Sequence, residues 1–258
     1  MTVEVLAQPS RYAQPIGRVG EVLGNYADPG MEIEIALRKF DLPHEFSRKA
    51  EAAARALPDA LRDEDLKARR DLRSLPLVTI DGESAKDFDD AVHAVREGKG
   101  VRLWVAIADV SHYVRDGDPL DADARERGTS VYFPRRVIPM LPEKLSNGLC
   151  SLNPDADRLA MVCEMAIGPK GDVARFEFYP AAIRSQARLT YTEVWGMLSA
   201  DQPAPGREAV FAHLKTLYAL FHVLFEARAR RGAIDFETIE TRMEFDASGK
   251  ILRIVPEA

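Results

Sequence analysis

Apolar and polar residues alternate in three segments near the N-terminus of the chain. Alternation with a period of two places the apolar side chains on one face, and this pattern predicts β-strands. The segments are residues 2–6, 16–23 and 31–37. A closed OB-type barrel takes about five strands. Residues 1–43 are therefore predicted to form only an incomplete OB-like β-barrel.

Residues 44–70 show helical spacing instead, and they are rich in alanine, leucine and charged residues. Their apolar face consists of Ala50, Ala54 and Leu57. Ser47 is a candidate N-cap for a first helix. Pro58 is expected to divide the segment into two short helices, because proline interrupts helical hydrogen bonding. We interpret this segment as a helical connector.

The pattern over residues 71–258 is that of a mixed α/β domain. Apolar runs predict strands at 76–80, 91–95, 101–108, 160–167 and 174–184. Residues 121–127 fit a short helix, and residues 236–245 with 250–255 fit a final hairpin.

The clearest helix covers about residues 207–231. We interpret its apolar stripe as core packing, which is the usual role of such a stripe in a globular domain. The stripe contains Val210, Leu214, Leu217, Phe221, Leu224 and Phe225.

Composition narrows the class of protein. The chain has 258 residues, 46% of them hydrophobic, which is enough for a sizeable core. Its net charge of −6 gives no sign of a basic nucleic-acid surface, and residues 81–157 hold 15 acidic against 10 basic residues. Cys150 and Cys163 have no metal-site spacing, and no apolar run reaches about 18 residues. These features predict a cytoplasmic protein with reduced thiols and no membrane contact.

The acidic excess is concentrated between two apolar runs. The residues involved are Asp81, Glu83, Asp87, Asp89 and Asp90. Carboxylates this close repel one another, and burying them beside a core is costly unless the charge is compensated. A divalent cation removes that cost, and oxygen ligands select Mg²⁺, Mn²⁺ or Ca²⁺ rather than Zn²⁺.

Spacing alone leaves other interpretations of this cluster open. It fits a solvated acidic turn between two strands, and it also fits a phosphoaspartyl enzyme with Asp81 as the nucleophile. An EF-hand calcium loop is a poor match, because the required glycine and final glutamate are not at the right positions.

Long blocks around the cluster resemble one known family. Residues 71–90, DLRSLPLVTIDGESAKDFDD, resemble the catalytic signature of the ribonuclease II/ribonuclease R (RNB) family, most closely its bacterial ribonuclease R members. The likeness continues in order through LWVAIADVSH at 103–112, RGTSVYFP at 127–134, VIPMLP at 137–142, LSNGLCSLNP at 145–154 and RLTYT at 188–192. It covers nearly the whole chain.

The resemblance implies a fold of two parts. Residues 1–43 would be the end of a cold-shock-type barrel, and residues 71–258 would be the N-terminal portion of an RNB catalytic domain. The family's arginine-rich segment, a catalytic glutamate and an S1-type domain have no counterpart here. We therefore expect a monomeric fragment that is weak or inactive by itself.

The resemblance also implies an activity. The parent would be a metal-dependent 3′→5′ exoribonuclease that degrades single-stranded RNA processively to nucleoside 5′-monophosphates. It would use Mg²⁺, or Mn²⁺, and no organic cofactor. Asp81, Asp87 and Asp90 would ligate the metal. Asp89 would be the most critical residue, positioning metal-held water or the scissile phosphate, and Glu83 would be a solvated neighbour.

Aromatic and basic residues are the candidates for RNA contact. Tyr132 matches a family aromatic at the 3′-terminal nucleotide, and Phe236 matches a second stacking ring; core packing is the alternative for both. Candidates for phosphate contact are Arg73, Arg127, Arg135 and Arg136. His93 and His112 are interpreted as structural. A non-catalytic RNA-binding module is the alternative function.

Overall fold

The computed structural model describes residues 1–26, 28–134, 136–236, 238–239, 241–247 and 249–256. In chain order its elements are β1 (Thr2–Ala7), β2 (Ile16–Glu21), α1 (Met31–Lys39), α2 (Arg48–Ala56), β3 (Arg70–Asp71), β4 (Val78–Asp81), β5 (Asp90–Glu97), β6 (Gly100–Ala108), α3 (Pro119–Arg127), β7 (Val131–Phe133), β8 (Arg136–Ile138), β9 (Asp157–Ile167), β10 (Val173–Arg184), β11 (Ala187–Thr190), α4 (Tyr191–Ala200), α5 (Glu208–Arg230), β12 (Thr241–Phe245) and β13 (Ile251–Pro256).

These elements belong to two compact units. The smaller unit consists of Met1–Phe46, Arg125–Met140 and Phe236–Ala258, and the larger unit consists of Ser47–Ala124 and Leu141–Asp235. The smaller unit thus combines the N-terminal segment with two later pieces of chain.

Antiparallel hairpins make up most of the smaller unit. β1 pairs with β2, β7 with β8, and β12 with β13. The first and last of these hairpins lie where the alternating pattern predicted strands. Side chains on β1 and β2 are almost all exposed, so this hairpin buries little apolar surface within its own unit.

The strand predicted at residues 31–37 is wrong, because this segment forms helix α1. Two acidic residues lie in its first turn and two basic residues in its last turn, which complements the helix dipole. Glu34 and Arg38 form an ion pair one turn apart. Met31 and Leu37 are the buried residues of the helix. The period-two pattern was therefore misleading here, because the charges at the two ends of the segment favour a helix.

A seven-stranded mixed sheet is the centre of the larger unit, in the order β11-β4-β5-β6-β9-β10-β3. The five strands β4, β5, β6, β9 and β10 pair antiparallel with one another, while β11 pairs in parallel with β4 at one edge and β3 in parallel with β10 at the other. The five central strands are the five that the sequence predicted, and the mixed α/β class is confirmed.

The connector prediction is half right. Ser47 caps α2, with its hydroxyl accepting a hydrogen bond from the Ala50 N–H at 3.1 Å. The second helix after Pro58 is wrong, since residues 57–69 form turns and irregular chain. Leu57 is already extended, at φ −66° and ψ 146°, as is favoured before a proline.

Helix α5 packs against the sheet at β5, and the helical prediction for this segment is confirmed. The expected core stripe is only partly correct. Leu214 and Leu220 are buried, but Phe221 is 54% exposed and Phe225 is 48% exposed. Successive helical residues are about 100° apart around the axis, so Phe221 faces away from the sheet that buries Leu220.

Helix α5 is also long and apolar enough to cross a membrane, judged by length and composition. A core helix passes the same test, and the buried face of α5 lies on the sheet. Helix α5 therefore packs as part of the larger unit.

Candidate active site

The acidic residues are brought together by the pairing of β4 with β5. These strands are antiparallel, with Val78 opposite Val92. The end of β4, at Asp81, and the start of β5, at Asp90, therefore lie at the same end of the sheet. Residues 82–89 form the loop between them. We refer to Asp81, Asp87, Asp89 and Asp90 as the acidic centre.

The carboxylates of these four residues interact electrostatically. The pKa of Asp89 is raised, mainly by burial of its carboxyl group and further by Asp87, Asp90 and Asp81. The pKa of Asp90 is also raised, by burial and then by Asp81. Both residues still expose much of their surface. The acidic centre is thus a place where negative charge is poorly solvated and mutually repelled.

The donor set of the acidic centre suits a hard cation, because it consists of carboxylate oxygens. Within the described residues, however, no three histidine, cysteine or acidic side chains are gathered closely enough to form a complete metal-binding group. The chemistry of these side chains fits Mg²⁺ or Mn²⁺, and a bound cation would have to draw the carboxylates closer together.

Phe88 anchors the loop that carries two of the aspartates. Its side chain is 2% exposed. Its N–H donates to Ser151 Oγ at 3.0 Å, and its carbonyl accepts from the Leu152 N–H at 2.8 Å. The next residue is also held, since Asp89 O accepts from the Ala108 N–H at 2.8 Å. These contacts tie the loop to two other parts of the larger unit.

Strand β11 and helix α4 hold the other side of the loop. The Arg188 guanidinium carbon lies 4.3 Å from the centre of the Phe88 ring, and Arg188 donates to Ala85 O at 2.7 Å. Glu83 is exposed, but it is more than a solvated neighbour. Hydrogen bonds, the strongest from the Thr192 side chain, lower the pKa of Glu83.

Tyr191 belongs to this site, although it was not among the candidates predicted from the sequence. It is the first residue of α4 and is 62% exposed. Burial of its hydroxyl, together with the charges of Asp81 and Asp90, raises the pKa of Tyr191. Its phenol therefore stays protonated beside the acidic centre and can donate a hydrogen bond. The sequence contained one signal, since Tyr191 lies within the family-like block RLTYT.

The two aromatic candidates lie in the smaller unit. Tyr132 on β7 is 64% exposed, and Phe236 is 81% exposed. Neither ring is buried in the core of that unit, so the core-packing alternative is wrong for both. Their contact with RNA stays a prediction.

The arginine candidates have structural partners. Arg73 forms ion pairs with Asp71 and Asp157. Arg127 donates to the carbonyls of Pro43 and Pro139, both at 3.1 Å. A phosphate contact by either arginine stays a prediction.

The remaining basic candidates are placed as follows. Arg136 pairs with Glu34, and Arg135 lies outside the described residues. His93 is 2% exposed and its ring packs 4.5 Å from that of His213. His112 lies 3.1 Å from an Asp65 carboxylate oxygen. Both histidines therefore sit among structural contacts.

Two family models match this chain. The RNB domain model matches residues 69–258, and a cold shock domain model matches residues 1–47. The chain belongs to the RNB family. The acidic centre lies within the part that matches the RNB domain.

Individual relatives agree with this assignment. Ribonuclease R of Escherichia coli (strain K12) is 50% identical over 98% of this chain, and ribonuclease R of Vibrio cholerae is 49% identical over 99% of it. The chain spans 32% and 31% of the lengths of those two relatives. A solved structure of Mycoplasma genitalium RNase R in complex with double-stranded RNA matches with a TM-score of 0.92 and 32% identity, over 99% of this chain and 46% of that one.

Proposed function

We propose that this chain carries the acidic centre of a metal-dependent exoribonuclease, which degrades single-stranded RNA from the 3′ end. The observation that carries the proposal is the gathering of four electrostatically coupled aspartates in a member of the RNB family. Similar proteins are named ribonuclease R, and the M. genitalium protein has been solved with double-stranded and with ribose-methylated single-stranded RNA.

The acidic centre supplies the ligands in this proposal. Asp81, Asp87 and Asp90 would hold Mg²⁺, or Mn²⁺, which supplies positive charge to the phosphate and activates water. Carboxylates must be deprotonated to bind a cation, so cation binding should strengthen as the pH rises through the raised pKa of Asp90. Asp89 would orient the attacking water or the scissile phosphate, and its raised pKa suits it to accept a proton.

Exposed rings supply the RNA contacts. Tyr132 and Phe236 are open to solvent, and each base that stacks on such a ring contributes about 1–3 kcal/mol. Stacking does not distinguish among bases. Contacts of this kind suit a processive enzyme that releases one nucleoside 5′-monophosphate after another, and no organic cofactor is needed.

The proposal extends to the cellular compartment, the activity of this chain alone and its oligomeric state. Cys150 and Cys163 are both free thiols, as expected in a reducing compartment such as the cytoplasm. Catalysis by this chain alone would be weak, because it spans only 32% of the E. coli relative. It would act as a monomer.

A hydrolysis assay on 5′-labelled single-stranded RNA tests the proposal. With Mg²⁺ we expect slow shortening of the RNA from its 3′ end, lost in Asp89→Asn and on chelation, and fast shortening by E. coli ribonuclease R. Asp63→Asn serves as the matched control, since Asp63 is exposed in the same unit and lies outside the acidic centre. The thermal unfolding temperature, measured with and without Mg²⁺, reports cation binding independently of activity.

A non-catalytic RNA-binding module is the second candidate. It is favoured by the lack of a complete three-ligand group among the described side chains. This alternative predicts RNA binding with no effect of Mg²⁺ on either the unfolding temperature or the RNA. That combination would overturn the exonuclease proposal.

A further inference from the structure

Phe88 lies between Asp87 and Asp89, and one short segment holds both of its backbone polar groups. Ser151 Oγ accepts from the Phe88 N–H at 3.0 Å, and the Leu152 N–H donates to Phe88 O at 2.8 Å. Ser151 and Leu152 are both fully buried. Water therefore does not compete for these hydrogen bonds, and an unpaired group at this position would be costly.

Ser151 is itself held in place. Its carbonyl accepts from Arg158 Nε at 2.8 Å, and its hydroxyl lies 3.4 Å from Asn153 Oδ1. A hydroxyl has one proton and two lone pairs. When the proton is directed at Asn153, the oxygen is left to accept from the Phe88 N–H.

The ring of Phe88 is held from another direction. Arg188 places its guanidinium over the ring, at 4.3 Å from the ring centre, and donates to Ala85 O in the same loop. The cation–π contact and the hydrogen bond both connect the loop to β11. Residues on either side of Phe88 are thus restrained by its backbone and by its side chain.

We propose that Ser151 is a positioning residue of the acidic centre, because it fixes Phe88 and thereby places Asp87 to hold a divalent cation and Asp89 to orient water or the phosphate beside it. Arg188 supports the same arrangement through the ring. Ser151 itself touches neither substrate nor cation. The inference rests on the proposed function, because it assumes a bound cation. The hydrogen bond between Ser151 and Phe88 does not depend on that function.

Mn²⁺ binding, followed by electron paramagnetic resonance on folded protein, tests this role. Ser151→Ala leaves the Phe88 N–H without its acceptor, and we expect Mn²⁺ affinity to fall roughly tenfold. The matched control is Ser185→Ala. Ser185 is also a buried serine in the larger unit, but its hydroxyl donates to Ala187 O, and its loss is expected to leave Mn²⁺ affinity unchanged.

Amide hydrogen exchange gives a second readout that needs no metal. We expect the Phe88 amide to exchange at least about tenfold faster in Ser151→Ala than in Ser185→Ala. If Ser151→Ala does not fold, Arg188→Met replaces it, since Arg188 is exposed and the change removes only the guanidinium contacts. We expect this variant to weaken Mn²⁺ binding several-fold.

The outcomes separate this inference from the proposed function. If the unchanged chain binds Mn²⁺ and Ser151→Ala binds it equally well, or if the Phe88 amide exchanges alike in both serine variants, the positioning role is wrong and the proposed function stands. If the unchanged chain binds no Mn²⁺, the metal-dependent function is wrong, and the positioning of a cation site falls with it.

Discussion

Thr190 pairs with Asp81 in the parallel ladder between β11 and β4. Thr190 is also the N-cap of α4, and its hydroxyl accepts from the Glu193 N–H at 3.1 Å. The first turn of α4 therefore begins beside the acidic centre. This relationship explains why the charges of Asp81 and Asp90 act on Tyr191, the residue that follows the cap.

Tyr191→Phe is expected to slow RNA hydrolysis roughly tenfold, because it removes a hydrogen-bond donor beside the reacting groups and keeps the ring. The unfolding temperature should not change, since the residue is 62% exposed. Single-turnover hydrolysis measures the effect, in this chain and at the matching position of E. coli ribonuclease R. Tyr218→Phe is the control, since Tyr218 lies on α5 and contacts the rings of Trp195 and Phe221. Equal rates for the two variants would exclude a role for the Tyr191 hydroxyl.

Replacing either coupled aspartate is expected to stabilise the fold at neutral pH. The pKa values of Asp89 and Asp90 are raised in the folded state. The folded state therefore binds more protons than the unfolded state just above the ordinary pKa of 3.8. The unfolding free energy consequently falls as the pH rises through this window, and it stays lower above it.

Asp89→Asn and Asp90→Asn should each raise the unfolding free energy. The gain should be only about a few tenths of a kcal/mol, because solvent screens charges on residues this exposed. Urea unfolding at pH 7 without divalent cations measures the gain. Asp63→Asn should leave the unfolding free energy unchanged. A loss of stability in both centre variants would mean that these carboxylates are favourably paired in the folded state.

The sequence was sufficient for the five central strands and for α5, because long apolar runs report burial directly. It failed at α1, where period-two alternation suggested a strand although the end charges suited a helix. The exposure of Phe221 depends on where α5 meets the sheet, and the sequence of the helix cannot show this. A single proline was also too weak a signal to establish a second helix after Pro58.

For the site, the sequence located the acidic centre through its local motif. It missed Ser151 and Tyr191, because both approach the centre from distant parts of the chain. Hydrogen bonds such as that between Ser151 and Phe88 join residues more than 60 positions apart. Such pairs leave no spacing pattern that a single sequence can reveal.

His93 is expected to make the larger unit sensitive to acid. Burial, and then His213, lower the pKa of His93 to about 4 from an ordinary value of 6.5. Below pH 6.5 His93 binds a proton in the unfolded state, but in the folded state it stays neutral until the pH approaches 4. The unfolding free energy therefore falls as the pH drops towards 4, by up to about 3 kcal/mol.

Urea unfolding between pH 7 and pH 4 tests this dependence. In His93→Gln the unfolding free energy should lose the part of its dependence on pH that comes from this residue, whatever the variant's stability at pH 7. We refer to this dependence as the slope. His222→Gln, at an exposed position on α5, should keep the full slope. A slope unchanged by His93→Gln would mean that His93 is protonated in the folded protein.

Ser47→Ala is expected to destabilise the larger unit by about 1 kcal/mol, the usual cost of removing an N-cap side chain. The lost interaction is the hydrogen bond from the Ala50 N–H to Ser47 Oγ. Ser199→Ala is the control, because Ser199 is exposed within α4, and its change should lie within about 0.5 kcal/mol of zero. Urea unfolding of the two variants compares them; equal stabilities would show that the cap contributes nothing.

Gly171 lies in the turn between β9 and β10, and Gly171→Ala is expected to be the most destabilising of these changes. Its φ of +79° disfavours any side chain, and a Cβ would lie 2.7 Å from Ala227 Cβ and 2.9 Å from Val223 O on α5. Gly117 has nearly the same φ, +78°, with nothing within 4 Å of its Cβ position. Gly117→Ala thus measures the backbone strain alone, about 1 kcal/mol.

The difference between the two glycine variants isolates the contact between the turn and α5. Gly171→Ala should cost about 2 kcal/mol more than Gly117→Ala, because the backbone carbonyl of Val223 cannot move aside without disturbing the helix. Urea unfolding of both variants gives the comparison. Equal losses would mean that α5 can shift away from the turn at little cost, and the close packing of Gly171 on α5 would then not be a constraint on the fold.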